Sequence, residues 1–171
     1  LDTLVHVANG LYENVPSDEA HELFKLPDFI NHMMENKWLG SKTKQGFYKK
    51  VDKDILSLDL NTLEYRPQQK ASFQTLELTK TIDKVVDRFK VLVKGKDKAG
   101  DFYRKSFAGL FAYVSNRINK KKDDLYKIDD AMKAGFGWEH GPFQIWDAIG
   151  VETALEFMKE AGETPAAWVE E

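Results

Sequence analysis

Residues Gly135 to Gly150 read GFGWEHGPFQIWDAIG, a run of glycines, a proline and a histidine beside a glutamate that suggests three kinds of chemistry. A phosphate loop needs glycines that let backbone N–H groups close on an anion, between a strand and a helix. Gly135, Gly137 and Gly141 read G-x-G-x-x-x-G, one residue longer than the dinucleotide fingerprint, and they follow a helical pattern. A metal site needs several ligands on one face. His140 stands beside Glu139 with no second histidine at metal-binding spacing, and His21-Glu22 runs on to Lys25, which breaks H-E-x-x-H. The chain has no cysteine, so thiolate metal centres, disulfides and cysteine nucleophiles are excluded. No metal-ligating or cofactor-binding residue emerges. The run reads best as a bend: Gly135 ends one helix, Gly137 and Gly141 permit tight backbone, and Pro142 suits the first turn of the next. Phe143, Ile145, Trp146 and Ile149 then face inward, Gly150 ends the second helix, and Phe136 and Trp138 are expected to fill core.

The elements that position this bend are bounded by composition. A 171-residue chain is long enough for one core or two small ones. Its 25 basic and 28 acidic residues give a net charge of -3 and are interspersed, so no field draws in nucleic acid or anionic lipid. Lys120, Lys121 and Lys122 are followed by Asp123 and Asp124, which reads as a solvated helix end. No apolar stretch approaches the roughly 20 residues that cross a bilayer, and the N-terminus lacks a signal-peptide layout. A cytoplasmic protein with no nucleic-acid or membrane partner is the simpler reading.

Periodicity predicts a mostly α-helical chain. Asp2 or Thr3 is placed to cap a helix whose apolar positions are Leu4, Val5, Ala8, Leu11 and Tyr12. Opening at a helix cap without Met, the chain reads as cut from something longer. Pro16 and Ser17 interrupt that helix, and another begins near Pro27 and carries Phe29, Ile30, Met33 and Met34. Gly40 and Gly46 bracket a turn-rich loop. Short strands are expected at Phe47–Lys50, Ile55–Leu58 and Leu63–Tyr65, with Asn61 and Thr62 at the turn of a hairpin. One helix is predicted from Leu78 through Ile82, Val85, Val86, Phe89, Leu92 and Val93 to a cap at Gly95. A second stripe follows in Phe102, Phe107, Leu110, Phe111, Val114 and Ile118, then a short helix with Leu125, Ile128 and Met132.

Two motifs carry a family resemblance. IDDAMKAGFGWEHGPFQIWDAIGVET closely resembles the C-terminal helical domain of NAD-dependent 3-hydroxyacyl-CoA dehydrogenases, with Asp130, Ala131, Met132, Gly135, Gly137, Gly141, Pro142, Phe143, Asp147, Gly150 and Thr153 on the pattern. WLGSKTKQGFY resembles a second signature of the family, matching at Leu39, Gly40, Lys42, Thr43, Gly46, Phe47 and Tyr48 and departing at Ser41 and Lys44. In a complete domain of that family the G-P-F motif precedes the L-G-x-K-T motif; here the order is reversed. The two motifs therefore belong to two repeats. LDTLVHVANG at the N-terminus aligns with VETALEFMKE after Gly150. The implied fold is a helical bundle of that C-terminal type: residues 1–50 form the second half of a first repeat, 51–77 a linker with a β-hairpin, and 78–171 a helix plus the first part of a second repeat.

The resemblance implies NAD-dependent oxidation of 3-hydroxyacyl-CoA to 3-oxoacyl-CoA in fatty-acid β-oxidation. It also implies that NAD and the His/Glu pair that removes the hydroxyl proton lie on an N-terminal domain outside this chain, which leaves the isolated chain inactive. This piece would supply substrate-cleft wall and repeat packing. One catalytic asparagine of the family sits in a GFxxNR segment of the first repeat. AYVSNR places Asn116 and Arg117 on that pattern, but in the second repeat, where a structural role for Asn116 is expected. Acyl-CoA is the implied substrate of the complete protein. The resemblance implies two repeats that pack on each other as two subunits do, burying the apolar stripes with Trp38, Trp138, Trp146 and Trp168, and a homodimer in which a second copy replaces the missing half-repeats. The alternative is a stand-alone helical interaction or acyl-CoA-binding module without catalysis.

Overall fold

A computed structural model describes residues 1–118 and 125–170; the Lys120–Asp124 run lies outside the described residues. The chain divides into two compact units, Leu1–Lys70 and Ala71–Glu171. Helices dominate, as the apolar periods predict.

In the first unit, helix α1 (Asp2–Asn14) and helix α2 (Asp28–Glu35) bracket a 3-10 turn at His21–Phe24. The expected side-chain cap is not made: Asp2 lies inside α1, and its carboxylate pairs with Lys42 instead. Strands β1 (Tyr48–Val51), β2 (Asp54–Leu58) and β3 (Tyr65–Pro67) form one antiparallel meander in chain order. The last strand starts later than the predicted Leu63, because Leu63 takes φ +60° in the turn, while the Asp59 carboxylate accepts the N–H groups of Asn61 and Thr62. Leu58 is buried with Val5, Ile30 and Met33, and Trp38 and Tyr65 pack against them. The sheet that sequence sets apart as linker thus shares the core of this unit.

The second unit is built from α3 (Gln74–Thr79), α4 (Val85–Lys94), α5 (Lys98–Asn116), α6 (Leu125–Phe136), α7 (Pro142–Ile149) and α8 (Val151–Ala161). The single helix predicted from Leu78 to Gly95 is two. Thr79, Thr81 and Ile82 are β-branched and lose side-chain freedom in a helix. The two threonine hydroxyls donate to the carbonyls of Leu76 and Leu78, and Arg88 Nε donates to the Ile82 carbonyl at 2.6 Å. Gly95 does close α4, but with φ -60°. Its small size is what matters: a Cβ there would overlap the buried Thr75 side chain.

The core of this unit is aromatic. Phe111 is stacked between Phe107 and Trp146, at centroid distances of 5.7 and 4.7 Å, and Trp146 is also stacked on Phe143 at 6.2 Å. Ala108, Ala154 and Met158 are fully buried around them, where α8 packs along α5. Trp138 and Trp168 are partly buried against this core. Phe136, expected inside, is 75% exposed. The reason is the helix end: α6 runs through Gly135 to Phe136, and Gly137 takes the left-handed turn at φ +67°, which leaves Phe136 on the outer face of the last turn.

Candidate functional site

The G-P-F bend is held by a carboxylate from the preceding helix. A helix start leaves its first N–H groups without intrahelical partners. At α7 the cap position is Gly141, which has no side chain to accept them. Asp129 does so from α6: its Oδ1 accepts the Phe143 N–H at 2.8 Å and its Oδ2 the Gln144 N–H at 3.0 Å. Gln144 Oε1 accepts the Gly141 N–H at 3.0 Å. Pro142 has no N–H and sits at the first turn, as predicted. The sequence comparison placed Asp130 on the motif; the working carboxylate is its neighbour. Asp129 is buried, whereas Asp130 is exposed and pairs with Lys133 at 2.9 Å.

Beside this junction lies a cleft of about 380 Å³, walled by Tyr126, Phe143, Trp146, Val151 and Trp168, with Asp129 and Asp147 among its polar groups. The Trp146 indole N–H is buried and finds no acceptor among the described residues. The far wall is fixed to the end of α5. Trp168 Nε1 donates to the Ser115 carbonyl at 3.1 Å, and the Ala166 N–H donates to Ser115 Oγ at 3.0 Å. Ser115 is fully buried, a polar pair of bonds that nothing in the sequence reading picked out.

Asn116 is next in the chain and does not line the cleft. Its Nδ2 donates to the Ala112 carbonyl at 2.9 Å and to the Thr164 carbonyl at 3.4 Å, which links α5 to the segment after α8. Arg117 lies over the Tyr113 ring at 5.2 Å.

Two helix starts are already closed by carboxylates, α7 by Asp129 and α5 by Asp97, whose carboxylate accepts the N–H groups of Ala99 and Gly100 and also that of Thr75, whereas α8 starts at Gly150 without a side-chain cap. These bonds, the Thr75 N–H first, hold the Asp97 carboxyl down at about 2. An anionic phosphate would meet charge of its own sign at both places. Among the described residues no group of three or more His, Asp or Glu side chains could hold a metal ion. No helix among them is long and apolar enough to cross a membrane.

Residues 102–169, which include α6, the bend, α7 and α8, match the family model of the 3-hydroxyacyl-CoA dehydrogenase C-terminal domain. Residues 102–169 carry a 3-hydroxyacyl-CoA dehydrogenase C-terminal domain. Across all 171 residues it is 39% identical to a probable 3-hydroxyacyl-CoA dehydrogenase of Bacillus subtilis, of which it spans 22%. It is 26% identical over 153 residues to a putative fatty acid oxidation complex trifunctional enzyme of Rickettsia felis, covering 84% of this chain and 19% of that protein. A protein of the same description from Rickettsia prowazekii is 23% identical over 151 residues. The chain thus spans about a fifth of the length of these curated relatives. No solved structure matches it. In this 3-hydroxyacyl-CoA dehydrogenase domain, the dense motif after Ile128 is a packing device: Asp129, Gly141 and Pro142 together fix the angle between α6 and α7.

Proposed function

We propose that the chain is the C-terminal part of a longer, NAD-dependent 3-hydroxyacyl-CoA dehydrogenase of fatty-acid β-oxidation. Its helices form one wall of the acyl-CoA cleft and pack the two repeats of the C-terminal region. The observation that carries this reading is the likeness along the full 171 residues to a probable dehydrogenase of which they are 22%. The aromatic cleft beside α7 suits an acyl chain, because Phe143, Trp146 and Trp168 offer apolar walls and few competing charges. The nicotinamide cofactor and the base that takes the hydroxyl proton belong to another domain. Asn116 acts here as a tether between α5 and the segment after α8, and not on substrate.

Hydride transfer from C3 of 3-hydroxyacyl-CoA to NAD, followed by the absorbance of NADH, tests the reading. Residues 1–171 alone are expected to give no rate, and the complete polypeptide of their reading frame a substrate-dependent one. A rate from the isolated chain would place the nucleotide site within it. Tight acyl-CoA binding by an isolated chain with no active longer form would favour the stand-alone module. The dehydrogenase reading also takes the protein as a cytoplasmic homodimer, on the exposed apolar stripe of α1; no helix among the described residues is long and apolar enough to cross a membrane. Sedimentation that gives a monomer mass at every concentration would remove the dimer.

A further inference from the structure

Helix α1 has two apolar faces and only one is covered. Val5 is buried in the first core, whereas Leu4 is 60% exposed, Val7 52% and Leu11 37%. These three lie at i, i+3 and i+7, one stripe of a helix.

The second unit shows what such a stripe is for. With LDTLVHVANG aligned on VETALEFMKE, Leu4 corresponds to Ala154, Val7 to Phe157 and Ala8 to Met158. In α8 these counterparts are 0%, 4% and 0% exposed, covered where α8 packs along α5, while Ala161, the counterpart of Leu11, is exposed. The segment that follows α8 then returns to α5 and gives it the Ala166 and Trp168 hydrogen bonds at Ser115. The segment that follows α1 also leaves a polar atom over, although on the same alignment Ala166 and Trp168 correspond to Pro16 and Asp18. His21, stacked on Tyr12 at 4.3 Å, has a buried Nδ1 with no partner among the described residues.

We propose that the Leu4–Val7–Leu11 face is the seat of an amphipathic helix of the α5 kind, supplied by polypeptide outside residues 1–171. That helix would present an apolar stripe with small residues at the crossing, as α5 does with Ala108 and Ala112. The proposal rests on the reading of the chain as part of a longer dehydrogenase, and the length of the relatives supplies the polypeptide.

The chain has no cysteine, so a single thiol reports one site. Val7→Cys, with Ser17→Cys as an exposed reference, is placed in residues 1–171 and in the complete polypeptide of the reading frame. Thiol labelling of each is followed by peptide mass spectrometry. In residues 1–171 both thiols label at similar rates; in the complete polypeptide Val7→Cys slows by about tenfold or more while Ser17→Cys does not. Leu11→Cys is the second position if Val7→Cys fails to fold. Equal labelling in a complete polypeptide that oxidises 3-hydroxyacyl-CoA overturns the seat and keeps the dehydrogenase reading. Protection without that oxidation keeps the seat and overturns the reading. A reading frame with no polypeptide ahead of Leu1 and none that covers Val7 overturns the seat.

Discussion

Asp129 occupies the space that a side chain at position 141 would need: a Cβ built on Gly141 would overlap Cα, Cβ and Cγ of Asp129. The glycine of the G-P-F motif is therefore a contact residue between α6 and α7, and its φ of -76° is one that any residue can adopt. Gly141→Ala must push α6 off the start of α7, and the overlapped atoms include main chain, so no rotamer change relieves it. We expect a loss of about 2–3 kcal/mol in urea unfolding. An unchanged midpoint would show that the two helices are not held at this distance.

Asp129 is the half of the junction whose truncation leaves helix-start donors unpaired. Asp129→Ala leaves the Phe143 and Gln144 N–H groups without their acceptor beside a buried core, at a cost of about 1–3 kcal/mol. Asp129→Asn keeps one acceptor oxygen and should lose less. Asp130→Ala, on the exposed neighbour, should change stability by less than about 0.5 kcal/mol. The order of the three denaturation midpoints checks the assignment.

Asp97 makes stability pH-dependent in a known direction. Three N–H donors hold its folded carboxyl at about 2, against 3.8 for the free side chain. The folded state therefore holds the proton less tightly than the unfolded chain. The stabilisation is fully present above about pH 4 and disappears as pH falls through about 2. In urea titrations between pH 6 and pH 2, the stability difference between the natural protein and Asp97→Asn should shrink over that window. A difference that stays constant would remove Asp97 as its source.

Gly95 and Thr75 should be energetically coupled. Thr75 is 3% exposed, and its Oγ1 and Cγ2 fill the position of a Cβ on Gly95. Gly95→Ala is expected to cost about 1–3 kcal/mol. Thr75→Ala removes Oγ1 and Cγ2, the two closest of the overlapping atoms, and leaves its Cβ at 2.9 Å and its N–H to Asp97, so the double variant should be more stable than the sum of the singles by about 1 kcal/mol. Additive losses would mean that the strain lies elsewhere.

Trp168→Phe keeps an aromatic wall for the cleft and removes the donor to the Ser115 carbonyl. We expect a loss of about 1 kcal/mol, and faster amide exchange after Ala161 than in α5. Equal protection in both variants would show that packing alone holds this segment.

Much of this was legible in the residues. The apolar periods located α1, α2, α5 and α6, the alignment of VETALEFMKE with the N-terminal segment paired α8 with α1, and Pro142 and Gly150 marked both ends of α7. Two anchoring carboxylates also left signals that a closer reading of phase recovers. Asp97 stands directly before a helical stripe, the usual place of a cap. Asp129 follows Leu125 by four residues and Ile128 by one, on the inward face, whereas Asp130 falls outside it.

The sequence by itself determined where α1, α2, α5, α6 and α7 run and that residues 102–169 carry a dehydrogenase C-terminal domain, because helix period, glycine and proline act on the backbone where they stand. Tertiary structure decided what the chain could not state locally. It set the Asp129 carboxylate on the Phe143 and Gln144 N–H groups, and it assigned Gly95 and Gly141 to close contact. It broke the helix between Thr79 and Val85, and it put the three strands into the core of the first unit. Each of these depends on a neighbour far along the chain, and a contact between distant residues exists only once folding has brought them together.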